Sequence, residues 1–170
     1  MRVRIYTPQP QDLSYRIIPL TRGQITLVSA HRYEYLSQWN WHAKISKDNG
    51  FYASRNEWID GKCVNFSMHR VILGVPDGVL VDHKDRDKLN NQDWNLRQAT
   101  EAQNQWNREK SVLNTTGYRG VSFKPSHNKY QAQITANGKK YWIGYYDTPE
   151  LAAAAYIEKA RELHGEFSFQ

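Results

Sequence analysis

The chain has 170 residues, a formal net charge of +6 and a pI of about 9.4. That length suits one ordinary domain or two or three very small ones, and the basic balance favours polyanionic partners, nucleic acid first. An aromatic content of 13%, with six Trp and eleven Tyr, excludes a disordered tail, and the single cysteine, Cys63, excludes an intramolecular disulfide or a cysteine-based zinc site.

Residues 1–67 read as β-rich. The opening MRVRIYTPQPQ lacks an apolar signal core, and no run approaches the ~18 apolar residues of a membrane span. The protein is therefore expected to be cytoplasmic, with no membrane partner. ITLV (25–28) predicts a short strand after Arg22-Gly23, and YEYLSQWNWHAKI (33–45) a short helix followed by a strand. Asp60-Gly61, between two strand-like runs in NEWIDGKCVNF, predicts a tight hairpin turn. Trp39, Trp41 and Trp58 are assigned to core packing, and Cys63 to a small buried or half-buried filler.

In MHRVILGVPDG (68–78), a helical turn or two should stop at Gly74 and Pro76. VLVDH predicts a strand, 84–95 a long polar loop and LRQA (96–99) a second strand. Thr100 with Gln103 three residues on fits a capping box for a helix over about 101–111. The region reads strand, loop, strand, helix.

That arrangement lets Asp82 and His83, at the mouth of the first strand, face the first turns of the helix, where Asn104 lies. Asp and Asn oxygens are hard ligands suited to Mg²⁺ or a similar cation. A histidine beside such an ion can deprotonate a water for attack on phosphorus. Adjacent strand residues point to opposite faces, so Asp82 and His83 can share a site only where the strand ends or distorts. Asn95 is placed to hold the His83 segment by hydrogen bonds to backbone. His69 is read as making a structural hydrogen bond, and Asp85, Asp87 and Asp93 as surface charge.

His83, Asn95 and Asn104, with Asp82 before the histidine, resemble the HNH endonuclease motif in the H-N-N form common among homing endonucleases of phages and introns. MHRVILG and NLRQAT are similar to that group as well, and the resemblance covers roughly 68–110. It implies a ββα-metal nuclease finger over 68–111, with His83 as general base, Asp82 and Asn104 as ligands of one divalent ion (Mg²⁺, with Mn²⁺ as an alternative), and Asn95 orienting the site. The final histidine of the usual motif is Asn104 here.

SVLNTTG, around a linker at 112–116, precedes a change of composition. YRGVSF, KYQAQIT and KKYWIGYY predict three strands, with Asn137-Gly138 as a primed hairpin turn. Thr148, Pro149 and Glu150 predict the start of a helix that runs to Gly165. Alternation points Val121, Phe123, Tyr130, Ala132, Ile134, Tyr141, Ile143 and Tyr145 toward the helix. Ser122, Lys124, Lys129, Gln131, Gln133, Thr135, Lys140 and Trp142 point away, and Tyr118, Tyr130 and Tyr146 are assigned to packing. Residues 113–146 contain Arg119, Lys124, Lys129, Lys139 and Lys140 and no acid, while the acids gather beyond Asp147. Such a face suits phosphates and base edges.

Residues 117–168 resemble the plant APETALA2/ethylene-response-factor DNA-binding domain through YRGVSF, KYQAQI, YWIGYYDTPELAAAAY and HGEF. The resemblance implies groove contacts from Arg119, Ser122, Lys124, Lys129, Gln133, Thr135, Lys140 and Trp142. Ser122, Lys124 and Lys140 stand where the plant domains carry arginine-type residues, so the plant target sequence does not transfer.

The expected whole is an α+β chain: a β-rich N-terminal region, a nuclease finger, and a three-stranded sheet packed on one helix over 117–170. The expected activity is metal-dependent hydrolysis of phosphodiesters in double-stranded DNA by a monomer without an obligatory protein partner. The rival reading is a DNA-binding regulator with a purely structural finger; a third is RNA binding through the aromatic N-terminal region.

Overall fold

The computed structural model describes residues 7–106 and 115–168. The expected linker at 112–116 and the end of the expected helix at 101–111 lie partly outside them. The fold is α+β, built from several small sheets and few helices. It divides into two compact units, one ending at Ala99 and the other beginning at Thr100.

In the first unit β1 (Tyr15–Pro19) pairs antiparallel with β2 (Ile25–Ser29). The short helix α1 (Tyr33–Leu36) leads to β3 (His42–Ile45), as expected for this stretch, and β3 pairs with β4 (Phe51–Ile59). The β4–β5 hairpin (β5, Lys62–Ser67) closes through Asp60 and Gly61, both at positive φ, the backbone that a primed turn demands. Then α2 (Met68–Leu73) stops at Gly74 in the left-handed region.

β6 (Leu80–His83) pairs antiparallel with β8 (Leu96–Ala99). Between them the loop is less irregular than the sequence suggests: β7 (Asn90–Asn91) adds in parallel to β2. This welds the loop to an N-terminal strand some sixty residues earlier. A single core of Ile18, Val28, Leu36, Trp41, Ala53, Met68, Ile72 and Leu96 links those strands with α2 and β8.

Two assignments from the N-terminal stretch are corrected. Trp41 is buried and Trp39 packs against the core, but Trp58 is 77% exposed, because it sits near the tip of the β4–β5 hairpin beyond the core's reach. Its cross-strand partner Cys63 is exposed for the same reason.

In the second unit α3 (Glu101–Trp106) carries the expected box: Thr100 N–H donates to Gln103 and Gln103 N–H to the Thr100 hydroxyl. β9 (Val121–Lys124), β10 (Lys129–Ala136) and β11 (Lys139–Tyr146) form the three-stranded meander, in the order β11-β10-β9. Asn137 and Gly138 turn the β10–β11 hairpin at positive φ. α4 (Pro149–His164) starts from Thr148, whose hydroxyl accepts from Leu151 N–H, and buries Ala152, Ala153, Tyr156 and Ala160 against the sheet. Small residues let helix and sheet approach closely. At Gly120, whose φ is +68°, a Cβ would overlap the Tyr156 ring and the Gln133 carbonyl.

The alternation along β11 is broken. Pairing runs Gln133↔Trp142 and then Ala132↔Gly144, so Ile143 is an extra residue on β11. The bulge reverses the faces beyond it. Tyr146, not Tyr145, joins the packing with Tyr118 and Tyr130, and Tyr145 turns outward. Phe123, also assigned to the helix side, is 43% exposed at the end of β9 and touches Tyr130 by its ring.

Candidate active site and nucleic-acid face

Two hydrophobic residues carry β6 into the fold, and then the chain delivers Asp82 and His83, each only 5% exposed. Burying a carboxylate this deeply requires a compensating cation. Arg97, the cross-strand partner of Asp82 on β8, provides it: Nε and Nη2 donate to Asp82 Oδ2 at 2.8 and 2.7 Å. Arg97 is not among the residues expected from motif or composition; counting back from the strand ends, which sets Asp82 opposite it, is the signal that finds it.

β6 ends at His83, as a shared site demands, yet the two side chains meet different neighbours. The His83 ring lies edge-on to His69 of α2 at 5.4 Å and tilted to Tyr52 of β4 at 6.3 Å. Its Nε2 is 3.4 Å from Asn91 Oδ1. Burial holds the His83 pKa below the ordinary imidazole value, although the hydrogen bond to Asn91 and the charges of Asp85, Asp82 and Asp87 pull it upward. Burial pushes that of His69 further, down to about 3, with help from His83 and Arg70. His83 is thus an uncharged imidazole near neutral pH, able to accept a proton. His69 has ring contacts with His83 and Tyr52 and, among the described residues, no hydrogen bond, which corrects the expected structural one.

Asn95 is fully buried and holds the loop after His83. Its amide nitrogen donates to Asp85 Oδ1 and to the Asn90 carbonyl, each at 2.8 Å, and its Oδ1 accepts from Asp85 N–H at 2.9 Å. Its main-chain carbonyl accepts from Lys84 N–H, next to His83. Asp85 and Asp87 are exposed as expected, yet their carboxylates are the loop's internal acceptors: Asp85 from Asn90 and Asp87 N–H, Asp87 from Leu89 N–H. Asp93 is no surface charge: half-buried, it receives two hydrogen bonds from Arg32. Asn104 belongs to α3 of the second unit, where its main-chain N–H closes the first turn on the Thr100 carbonyl.

Among the described residues no three His, Cys, Asp or Glu side chains converge as a metal cluster. The donor chemistry nonetheless fits a hard cation that keeps part of its water. Asp82 offers a buried carboxylate, a hard oxygen donor, and one of its oxygens accepts from Arg97.

On the outward face of the second unit, register places Ser122 and Lys124 of β9 beside Gln131 and Lys129 of β10, and Gln133 and Thr135 beside Trp142 and Lys140 of β11. Gln133, Thr135, Lys140 and Trp142 are exposed, Trp142 by 62%. Lys129 is ion-paired with Asp147 at 2.9 Å. Arg119 does not stand on this face: its guanidinium donates to the Trp106 carbonyl, whose ring stacks on His164. The bulge adds Tyr145, which the alternation missed. Its ring meets Trp142 at 5.8 Å and stacks on His127 at 4.5 Å.

Comparison with known proteins bears on both regions. The family model "HNH endonuclease" matches residues 68–106, and "AP2 domain" matches 116–166. An uncharacterized HNH endonuclease of Acanthamoeba polyphaga mimivirus is 35% identical over 153 residues, covering 86% of this chain and 74% of that protein. Protein 3.8 of Escherichia phage T7 is 35% identical over 94 residues, covering 55% of this chain and 77% of that protein. A solved structure of DNA binding and cleavage by the HNH homing endonuclease I-HmuI aligns with a TM-score of 0.35 and 21% identity, over 81% of this chain and 80% of that one. The chain belongs to the HNH endonuclease family, and it is an endonuclease carrying an AP2 domain. No helix of the described residues is long and apolar enough to cross a membrane.

Proposed function

We propose that this protein is a metal-dependent DNA endonuclease whose nuclease segment, 68–111, hydrolyses phosphodiesters while its C-terminal sheet, within 117–170, binds the duplex. The observation that carries this reading is a buried, uncharged His83 next to a buried carboxylate, inside the segment that matches the family.

His83 takes a proton from the attacking water. Its uncharged state near neutral pH gives the ring a lone pair for that task. Asp82 and Asn104 are assigned as the protein ligands of one divalent ion, Mg²⁺ or Mn²⁺, which when bound stabilises charge on the departing oxygen. Arg97 fixes the Asp82 carboxylate in place through its ion pair. Asn95 pins the strand-to-loop junction, so the His83 ring is held by packing before substrate arrives. On the sheet, Lys124 and Lys140 suit phosphates, and Gln133, Thr135 and Trp142 suit bases and sugars. Ser122 and Lys129 belong to the same face, Lys129 after releasing Asp147. Arg119 is assigned to the frame that supports it. Two modest modules on one chain raise overall affinity through effective concentration. The protein acts as a monomer.

Plasmid nicking with Mg²⁺ or Mn²⁺, in wild type and His83→Ala, tests the reading. Nicking that stops with EDTA and with His83→Ala is expected. Undiminished nicking by His83→Ala would remove the general base. Duplex binding without cleavage under any divalent ion would favour a regulator whose finger is only structural.

A further inference from the structure

Hydrogen-bond donors and acceptors around His83 can be counted outward from one fixed point, sixty-three residues away in sequence from the oxygen it meets. The Thr26 hydroxyl, fully buried on β2, lies 2.6 Å from the Leu89 carbonyl oxygen. A carbonyl has no hydrogen to give, so two oxygens this close must share the hydroxyl's proton. Thr26 has only one. Its longer approach to Met68 Sδ, 3.9 Å, cannot compete for it. Toward Asn91, at 2.8 Å, Thr26 therefore presents a lone pair, and the Asn91 amide nitrogen must be the donor. That fixes the amide's orientation: Asn91 Oδ1 faces His83 Nε2 at 3.4 Å. An amide oxygen only accepts, so Nε2 carries the hydrogen and Nδ1 carries the lone pair.

Neither Asn91 nor Thr26 can easily turn. Asn91 is fully buried, and its backbone is paired in parallel with Val28, while Leu27 N–H donates to the Leu89 carbonyl at 2.9 Å. The strand that holds the threonine thus also holds the carbonyl that takes its proton.

We infer that Thr26 and Asn91 are positioning residues for the nuclease: through a Thr26–Asn91–His83 relay they hold the imidazole in its Nε2–H tautomer, the form whose lone pair lies on Nδ1. The inference rests on His83 being the general base. The relay selects a tautomer without contacting substrate, in the way partners behind a working histidine commonly do.

The test uses the full chain labelled with ¹⁵N-histidine and reads the His83 tautomer by long-range ¹H–¹⁵N correlation, beside cleavage kinetics of wild type, Thr26→Val, Thr26→Ser and His83→Ala. Wild type should show Nε2–H. Thr26→Val, nearly isosteric, frees the Asn91 amide to reverse; the tautomers should mix, and kcat should fall roughly 10- to 100-fold with KM little changed, while the melting temperature drops only as far as the two lost buried hydrogen bonds require. Thr26→Ser should restore both readouts. An Nδ1–H tautomer in the wild-type spectrum, which needs no variant, overturns the relay. So does a Thr26→Val protein that keeps both wild-type tautomer and rate while His83→Ala is inactive. Full activity in His83→Ala would instead defeat the general-base reading, and the spectrum would still decide the relay.

Discussion

Asp82, His83 and Asn95 are each buried and each held by named partners, whereas Gln133, Thr135, Lys140 and Trp142 stand in solvent on an open sheet. The contrast fits the work proposed for each region. Moving a proton needs a fixed ring and a carboxylate whose charge is already balanced, so the fold spends interior space on polar groups. Reading a polyanion needs charge and hydrogen-bonding groups in reach of water and ligand, so the sheet keeps them outside. Substitutions in the first region should therefore disturb chemistry and folding, and those in the second should disturb affinity alone.

The largest effect expected is on chemistry. His83→Ala should slow cleavage by about 10²- to 10⁴-fold, the usual worth of a general base, while duplex binding in a gel-shift assay stays near wild type. Next comes Arg97→Met, which leaves the Asp82 carboxylate buried without its cation; urea unfolding should show a loss of about 3–5 kcal/mol. A loss under 1 kcal/mol would mean that Asp82 is less confined than its 5% exposure indicates.

Acid should weaken the same region. His69 and His83 have folded pKa values below the unfolded imidazole value, about 3 for His69. The unfolded state therefore binds protons first, and stability falls as pH drops below about 6.5, by up to ~1.4 kcal/mol per pH unit for each histidine. For His69 the loss continues toward pH 3. Unfolding of wild type and His69→Phe at pH 7 and pH 4.5 should show a shallower decline for the variant.

Effects in the second region are smaller. Lys140→Gln should lower the slope of log affinity against log salt by about 0.9 and leave the melting temperature unchanged. Smallest of all, Trp58→Ala at the exposed hairpin tip should change stability within about 0.5 kcal/mol.

Local chemistry made much of this legible in the sequence. Asp60-Gly61 and Asn137-Gly138 bend as their backbones dictate, and Thr100 with Gln103 closes its box, because each signal lies within four residues. The family resemblance singled out Asp82, His83 and Asn95, and all three are buried in the fold. What escaped depends on distance or on a break in period. Trp58 has the composition of a core residue but lies beyond the core's edge. One extra residue at Ile143 sends Tyr145 outward, and alternation contains no sign of it. Arg97 and Asn91 acquire meaning only once β6 meets β8 and β7 meets β2.

That last pairing bears on portability. Residues 68–106 look like a cassette, yet the brief parallel ladder at Leu27 and Val28 makes the preceding sheet a wall of the loop that follows His83. Excised at the family boundary, the cassette would lose the neighbour that seals Asn91. Grafts intended to carry the cutting activity should begin upstream of β1, near Gln9, whose side chain already clasps the main chain of Ile17.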